Sequence, residues 1–266
     1  MEIVIAIVST IIVVVLLVWL GLRIQPKPFP AFTQNPPELK TVPLPDGLPA
    51  PVERYFRKVN GDNIPVIETI VLAGRGVVRP FMNIPLPARY MMVHNAGKDY
   101  RHYFEVTFFG RPFLKINEGY LDGKSFFESP MGTYYDDPNT NQGANLAVWA
   151  EGAWFPSIWI TDPRVHWEPV DENTALLFVP FEEGQDTFVI RFNHQTGLLD
   201  MMEAMRYKNI ADKHKILWIT TSTKAKNGST VALVMWLDEG RPWAALTLDS
   251  MVFNADIKQY IRQRGP

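Results

Sequence analysis

Alternating apolar and polar residues fill most of the chain after residue 66 and predict a long run of β-strands. Turn residues separate the segments, most clearly Asp122-Gly123 and Asn227-Gly228, which are pairs typical of tight hairpins. We therefore expect about 11 or 12 antiparallel strands, a meander that curls into a barrel or half-barrel. The predicted strands are Val66–Val78, Ala88–Asn95, Tyr100–Phe109, Phe113–Leu121, Ser125–Tyr135, Val165–Glu168, Thr174–Phe181, Thr187–Phe192, Leu198–Lys208, Lys215–Thr223, Ser229–Leu237 and Ala244–Phe253.

One segment in the middle of the chain, Gly143–Thr161, has the periodicity of a helix. Its apolar residues recur at i, i+3, i+4, i+7 and i+8, and Pro156 is expected to end or kink the helix near Phe155. Both faces of this helix are nearly apolar, so both must be buried against other parts of the protein. We predict a helix over residues 144–155, preceded by a polar loop at 136–143, which lies against or inside the curved sheet. Shorter helices are predicted at Leu48–Arg57 and Asp256–Arg264.

The N-terminal segment predicts a membrane anchor over residues 1–24. Ile3–Leu22 contains no charge, and about 20 apolar residues suffice to cross a bilayer. Trp19 lies near the C-terminal end of this run, where interfacial aromatic residues are common. A cleaved signal peptide is the alternative, but the run lacks a basic segment before it and exceeds the usual ~7–15 apolar residues. An uncleaved single-pass helix is the better interpretation.

Residues 25–47 are rich in proline, which predicts an extended, semi-rigid spacer. Residues 48–266 then form a single antiparallel β domain with the inserted helix. The class of this domain is mainly β with a few helices (α+β).

Composition excludes several functional classes. The net charge of −2 argues against nucleic acid as a partner. The absence of cysteine excludes disulfides, thiolate metal sites, cysteine nucleophiles and a lipid-attachment cysteine. A segment that resembles a phosphate loop, Gly119–Ser125, is one residue too short and runs into a strand-like segment.

The remaining side chains carry no motif of a catalytic or metal site. The five histidines never have the HxH or HExxH spacing of metal ligands, and only the fold decides whether some of them meet in three dimensions. We therefore predict no catalytic residue, no metal and no cofactor. The histidines are His94, His102, His166, His194 and His214.

Glu151 is the one charged residue in the central apolar segment. Because an isolated buried charge is costly, it must be paired, protonated or at the mouth of a cavity. An ion pair with an arginine of a facing strand, contact with the polar head of a ligand, and general acid–base catalysis are the alternatives. The candidate arginines are Arg89, Arg191 and Arg206, and Glu203 has a similar interpretation. The candidate ligand-binding residues are Trp149, Glu151, Trp154, Phe155 and Trp159.

Several short motifs, in order along the chain, resemble an uncharacterised family of bacterial and archaeal proteins of the DUF6544/DUF6920 type. Ile84 stands where that family usually has tryptophan. The family has no established activity, but the resemblance implies a fold similar to lipoprotein-carrier (LolA-like) half-barrels, a curved sheet closed by helices over an apolar cavity. The matching segments are Leu48–Phe56, Pro85–Arg89, Asn117–Gly123, Glu151–Pro156, Val165–Glu168 and Asn254–Asp256.

These observations favour a membrane-anchored, non-enzymatic domain that binds a lipid, acyl chain or other apolar ligand in a cavity under the central helix. A structural or interaction module at the cell envelope is one alternative, with no particular protein partner indicated. A hydrolase that uses carboxylate and histidine side chains is another, and it would require Glu151 or Glu203 within hydrogen-bond reach of a histidine in a cleft. Arg23 and Lys27 favour a cytoplasmic domain. The carrier-like resemblance and the extended spacer favour the extracytoplasmic side, which we expect.

Overall fold

The structure is a computed structural model that describes residues 1–32, 37–80, 83–225 and 228–265. Fifteen strands dominate it. Strand β1 spans Thr41–Pro43, β2 Asn63–Pro65, β3 Thr69–Val78, β4 Leu86–Asn95, β5 Asp99–Phe108, β6 Arg111–Leu121, β7 Lys124–Ser129 and β8 Gly132–Tyr135. Strand β9 spans His166–Pro169, β10 Thr174–Phe181, β11 Gly184–Phe192, β12 Leu199–Arg206, β13 Ile216–Lys224, β14 Thr230–Trp236 and β15 Ala244–Phe253. The α-helices are α1, Glu2–Arg23; α2, Ala50–Asn60; α3, Pro138–Ala150; and α4, Ile158–Thr161.

Thirteen of these strands form one antiparallel sheet in the order β8-β7-β6-β5-β4-β3-β15-β14-β13-β12-β11-β10-β9. Consecutive strands pair with each other from β3 to β8 and from β9 to β15, and the pairing of β15 with β3 joins these two halves of the sheet. Helix α3 contacts β6 and β7 in one half and β10 and β12 in the other. Because these strands lie far apart in the sheet order, the sheet must curl around the helix. The predicted mainly β class, curved antiparallel sheet and central helix are confirmed, with more strands than expected.

The two faces of the sheet have separate apolar clusters. The concave face carries the larger cluster, which includes α2, α3 and alternate residues of the strands, such as Tyr90, Met92 and Phe104. The convex face of β3, β4 and β15 carries a smaller one, with Val71 and Val93 at its centre. Alternation in β4 thus puts even-numbered residues inside and odd-numbered ones outside.

Helix α3 begins earlier than the periodicity predicts. Asp137 caps it, since its side chain accepts hydrogen bonds from the backbone N–H groups of Asn139 and Thr140. Pro138 occupies the first turn, where its missing N–H is not needed. The predicted polar loop at 136–143 is therefore mostly helix. At the other end the backbone tightens into a 3-10 turn at Glu151–Trp154, so the predicted span of 144–155 is shifted.

The N-terminal segment and the spacer both contact the β domain. Helix α1 is the one helix of the described residues that is long and apolar enough to cross a membrane, with a mean hydropathy of 3.2. Its carbonyl at Gly21 accepts a hydrogen bond from the N–H of Phe109 in the β5–β6 turn, 3.0 Å away. In the described parts of the spacer, Phe29 is buried in the convex cluster and β1 pairs with β2. The structure thus differs from the predicted free spacer, because an apolar side chain among the prolines packs against the convex face of the sheet.

The predicted hairpin turn at Asp122-Gly123 is confirmed, and the predicted C-terminal helix is wrong. The Asp122-Gly123 pair forms the expected turn, with φ of 52° and 81°, whereas Asn227 lies outside the described residues. Residues 256–264 form turns and bends rather than the predicted terminal helix. Ile257 and Ala255 from this region are buried against the convex face, so packing on the sheet replaces helix formation.

A cavity with a histidine–carboxylate cluster

A cavity of about 170 Å³ lies between α3 and the concave face of the sheet. Small residues on one side of the helix create this space. Gly143, Ala144, Ala147 and Ala150 all line it, at spacings that place them on one helical face. A large residue at any of these positions would occupy the cavity. A space of this size holds a ring or a short chain, since an engineered cavity of about 150 Å³ binds benzene.

The sheet side of the cavity is rich in aromatic residues. Strands β5 and β7 contribute one part of the wall, and strands β13 to β15 with the loop before β15 contribute the other. Trp154 of the 3-10 turn completes the lining. The principal aromatic residues of the wall are Phe104, Phe126, Trp154, Trp218 and Trp243. Such a lining suits an apolar ligand.

Arg206, the last residue of β12, brings a positive charge to this wall. Its guanidinium carbon lies 4.7 Å from the ring centre of Trp218 and 5.6 Å from that of Trp236. It forms no ion pair with any residue in the described part of the chain, and its Nε atom is enclosed without a hydrogen-bond partner. Burial lowers the pKa of Arg206, and the charges of Glu118 and Glu151 oppose that effect from a distance. Arginine nevertheless stays protonated in proteins, so the cavity holds a fixed cation.

Glu151 contacts two histidines rather than an arginine. Its Oε2 atom lies 2.8 Å from His94 Nε2 and 2.9 Å from His102 Nε2. The other ring nitrogen of His102, Nδ1, lies 3.3 Å from Glu118 Oε1. The predicted arginine partner is therefore wrong: Arg89 pairs with Glu105, and Arg206 stacks on tryptophans.

The strand register explains why the two histidines meet. His94 of β4 lies opposite Tyr100, and His102 of β5 lies opposite Met92, so the histidines are diagonal neighbours on the concave face. Their ring centres are 5.6 Å apart. His102 also lies directly opposite Glu118 of β6. Glu151 directly follows the last residue of α3, which contacts β6.

Charge and burial act against each other in this cluster. Burial lowers the pKa of His94 more than the charge of Glu151 raises it, so its imidazole is neutral. Burial also lowers the pKa of His102, but Glu151 and Glu118 outweigh it and raise the pKa to about 9. Burial raises the pKa of Glu151, yet the two histidines lower it to about 2. Glu151 is thus an ionised carboxylate in an apolar wall.

The structure divides the five predicted ligand-binding residues into two groups. Glu151 and Trp154 line the cavity. Trp149, Phe155 and Trp159 are each only 1% exposed and pack in the concave cluster, outside the cavity lining. Trp159 donates a hydrogen bond from Nε1 to the carbonyl of Trp149, which ties the two segments of the helical region together. Helical periodicity identified the buried face without showing which residues border the empty space.

Other candidates have ordinary structural roles. Glu203 forms an ion pair with Arg191 at 2.6 Å, as the sequence predicted. Asp122 and Gly123 of the phosphate-loop-like segment form the β6–β7 turn, and a strand follows instead of a helix. Sequence reasoning missed His94, His102 and Glu118 as neighbours of Glu151. The available signal was that His102 alternates with apolar residues that point to the concave face.

Comparisons with known proteins agree with the predicted family. The sequence model of a family of unknown function, DUF6544, matches residues 38–244. A comparison with curated proteins finds no match.

A comparison with solved structures finds matches that include the following two. One, a domain assigned as an outer membrane lipoprotein-sorting protein from Vibrio parahaemolyticus, is 7% identical, with a TM-score of 0.36 over 72% of this chain and 87% of that one. The other, the LolA superfamily protein NE2245 from Nitrosomonas europaea, is 10% identical, with a TM-score of 0.41 over 73% of this chain and 89% of that one.

Proposed function

The chain belongs to the DUF6544 family of unknown function, and we propose that it is a membrane-anchored binding domain for an amphiphilic ligand with an anionic head. The cavity under α3 receives the apolar part, and Arg206 binds the head. Helix α1 serves as a single-pass anchor, and the β domain lies on the extracytoplasmic side. The cation of Arg206, facing an aromatic cavity without an ion-pair partner among the described residues, is the observation that carries this proposal.

The apolar part of the proposal rests on the lining. The wall is mostly apolar, with alanines from α3 and both aromatic and aliphatic residues from the sheet, so an acyl chain or a ring loses water on entry. The space of about 170 Å³ limits the enclosed part to a short segment of a chain. A longer chain would have to extend past the partly exposed residues Tyr207 and Lys208, which also belong to the lining.

The anionic part rests on Arg206 and its neighbours. Glu118 and Glu151 both contact His102, so these two carboxylates of the cavity wall pair with a histidine and not with Arg206. Stacking on Trp218 and Trp236 holds the guanidinium in place. Gly143 permits its close approach to α3, because a Cβ there would lie 2.8 Å from Arg206 Nε. A carboxylate or phosphate accepts paired hydrogen bonds from a guanidinium in such a setting.

The test compares a carboxylate with a neutral ligand of the same chain length. The full chain, reconstituted in lipid nanodiscs, is titrated with octanoate and with octanol by calorimetry, with empty nanodiscs as the blank. We expect Arg206→Gln to weaken octanoate binding about 10- to 100-fold, since a charge-assisted hydrogen bond contributes ~1.5–3 kcal/mol. Octanol binding should change little.

Arg191→Gln is the matched control, because Arg191 is an exposed arginine of the neighbouring strand and lies outside the cavity. Equal octanoate affinity in the wild type and in Arg206→Gln would refute the role of the cation. No binding of either probe to the wild type would refute the cavity as a site for acyl chains and favour the interaction-module alternative.

A further inference from the structure

Three potential metal ligands converge at one end of the cavity wall. The Nε2 atoms of His94 and His102 each lie within 3 Å of the same carboxylate oxygen, Glu151 Oε2, at 2.8 and 2.9 Å. All three atoms lie within 4.8 Å of one another. They come from β4, β5 and the 3-10 turn after α3, so three separate elements of the fold place them together.

Hydrogen bonding leaves part of this cluster unsatisfied. His94 is 1% exposed, and within the described ranges its Nε2 atom has no hydrogen-bond partner, although it lies close to Glu151. The contact is short, but its angle does not suit a hydrogen bond. The same carboxylate oxygen already binds His102. Buried polar atoms nearly always have a hydrogen-bond or metal partner. A buried His94 Nε2 that points into the cluster without one therefore indicates a bound group between the three side chains.

Groups around the cluster hold the ligands as a metal site requires. Glu118 Oε1 lies 3.3 Å from His102 Nδ1, the carboxylate–histidine pairing that orients an imidazole towards a metal. Tyr100 packs on the ring of His102 with centres 4.2 Å apart, and Phe155 packs on His94 at 5.4 Å. The rings therefore have little freedom to turn away.

We propose that His94, His102 and Glu151 bind a divalent transition-metal ion. Two imidazoles and one carboxylate are the donor set of many Zn²⁺ and Fe²⁺ sites with open positions. Bonds of ~2.1 Å in tetrahedral geometry put ligand atoms about 3.4 Å apart, so Glu151 has to retreat by roughly half an ångström. Its side chain has the room, since it borders the cavity.

The open positions of this ion would face the cavity, because Glu151 and His102 both line it. A ligand held there would have its polar end near the metal as well as near Arg206. This goes beyond ligand binding, since a metal with an open position polarises a bound group or activates water. It also meets the geometric condition set for the enzyme alternative, a histidine within hydrogen-bond reach of Glu151 in a cleft.

Metal uptake by the full chain in nanodiscs tests the site without any organic ligand. The protein is stripped with a chelator and titrated with Zn²⁺ by calorimetry, and with Co²⁺ by visible absorption. We expect one ion per chain and Co²⁺ bands of tetrahedral or five-coordinate intensity. Glu151→Gln should weaken Zn²⁺ binding more than about 100-fold, and Glu118→Gln about 10- to 100-fold, as expected for a ligand and for its supporting group.

His194→Gln is the control, because His194 is exposed and far along the chain from the cluster. It should leave uptake unchanged. Wild-type uptake no tighter than that of Glu151→Gln, or wild-type Co²⁺ spectra of a purely aqueous ion, would overturn the site and leave a hydrogen-bonded cluster. If circular dichroism shows that Glu151→Gln is unfolded, the wild-type Co²⁺ spectrum and Glu118→Gln decide. Octanoate binding is measured separately, so the two proposals fail independently.

Discussion

Replacing Ala147 with leucine tests whether the space under α3 exists in solution. Ala147 is 8% exposed and lines the cavity. The leucine adds three carbon atoms, and burial of each contributes ~0.8 kcal/mol, so filling the cavity stabilises the domain by up to about 2.4 kcal/mol. A shift of about 2–4 °C per kcal/mol is typical of a domain this size, which corresponds to a rise in Tm of roughly 5–10 °C at most. Octanoate binding should fall at the same time, because the leucine takes the ligand's place.

The assay is thermal and urea unfolding of the full chain, followed by tryptophan fluorescence. Ala175→Leu is the matched control, since Ala175 is fully buried in β10 and lies outside the cavity lining. Overpacking there should cost about 1–3 kcal/mol. If Ala147→Leu destabilises the domain as much as Ala175→Leu does, the concave face is solidly packed and the reasoning fails.

Three further predictions concern the frame around the cavity. Asp137→Ala removes the cap of α3 and should cost ~1 kcal/mol, a fall in Tm of about 2–4 °C, whereas Asp137→Ser should retain most of the stability. Gly152→Ala places a Cβ 2.5 Å from Trp159 Nε1 and should destabilise by about 1–3 kcal/mol in urea unfolding; an unchanged midpoint would contradict this packing. Burial raises the pKa of Asp162, but Arg164 outweighs it and lowers the pKa below the ordinary value of 3.8. The ionised pair therefore stabilises the fold above about pH 4 and less as the pH falls further. Asp162→Asn should be less stable than the wild type at pH 6, and urea midpoints at pH 3 should show a smaller difference.

Local signals in the sequence predicted most of the sheet. Alternation and turn pairs are properties of neighbouring residues, and Asp122-Gly123 adopts the positive φ angles that such a turn requires. The start of α3 was missed for the opposite reason. Its first turn is polar, a composition that is typical of a loop. The only sequence signals of a helix there are the capping residue Asp137 and Pro138, which follows it.

The candidate site was only half predictable. Glu151 stood out because it is a lone charge in an apolar segment. Its partners come from strands whose register is fixed by pairing across the sheet, so His94 and His102 meet only in three dimensions. The cavity depends on what side chains leave empty, and residue types alone do not distinguish the packed Trp149 from the lining Trp154.

The contacts between α1, the spacer and the sheet fix the orientation of the β domain relative to α1. Phe109 binds the carbonyl of Gly21, and a side chain at Gly21 would collide with the ring of Phe108. Phe29 is buried on the convex face, where the guanidinium carbon of Arg89 lies 4.3 Å above its ring centre. With α1 in a bilayer, as we propose, these contacts would hold the β domain at a fixed distance from the lipid and in a fixed orientation. A flexible tether would allow both to vary. Any exchange of ligand would then take place at a constant distance from the membrane surface.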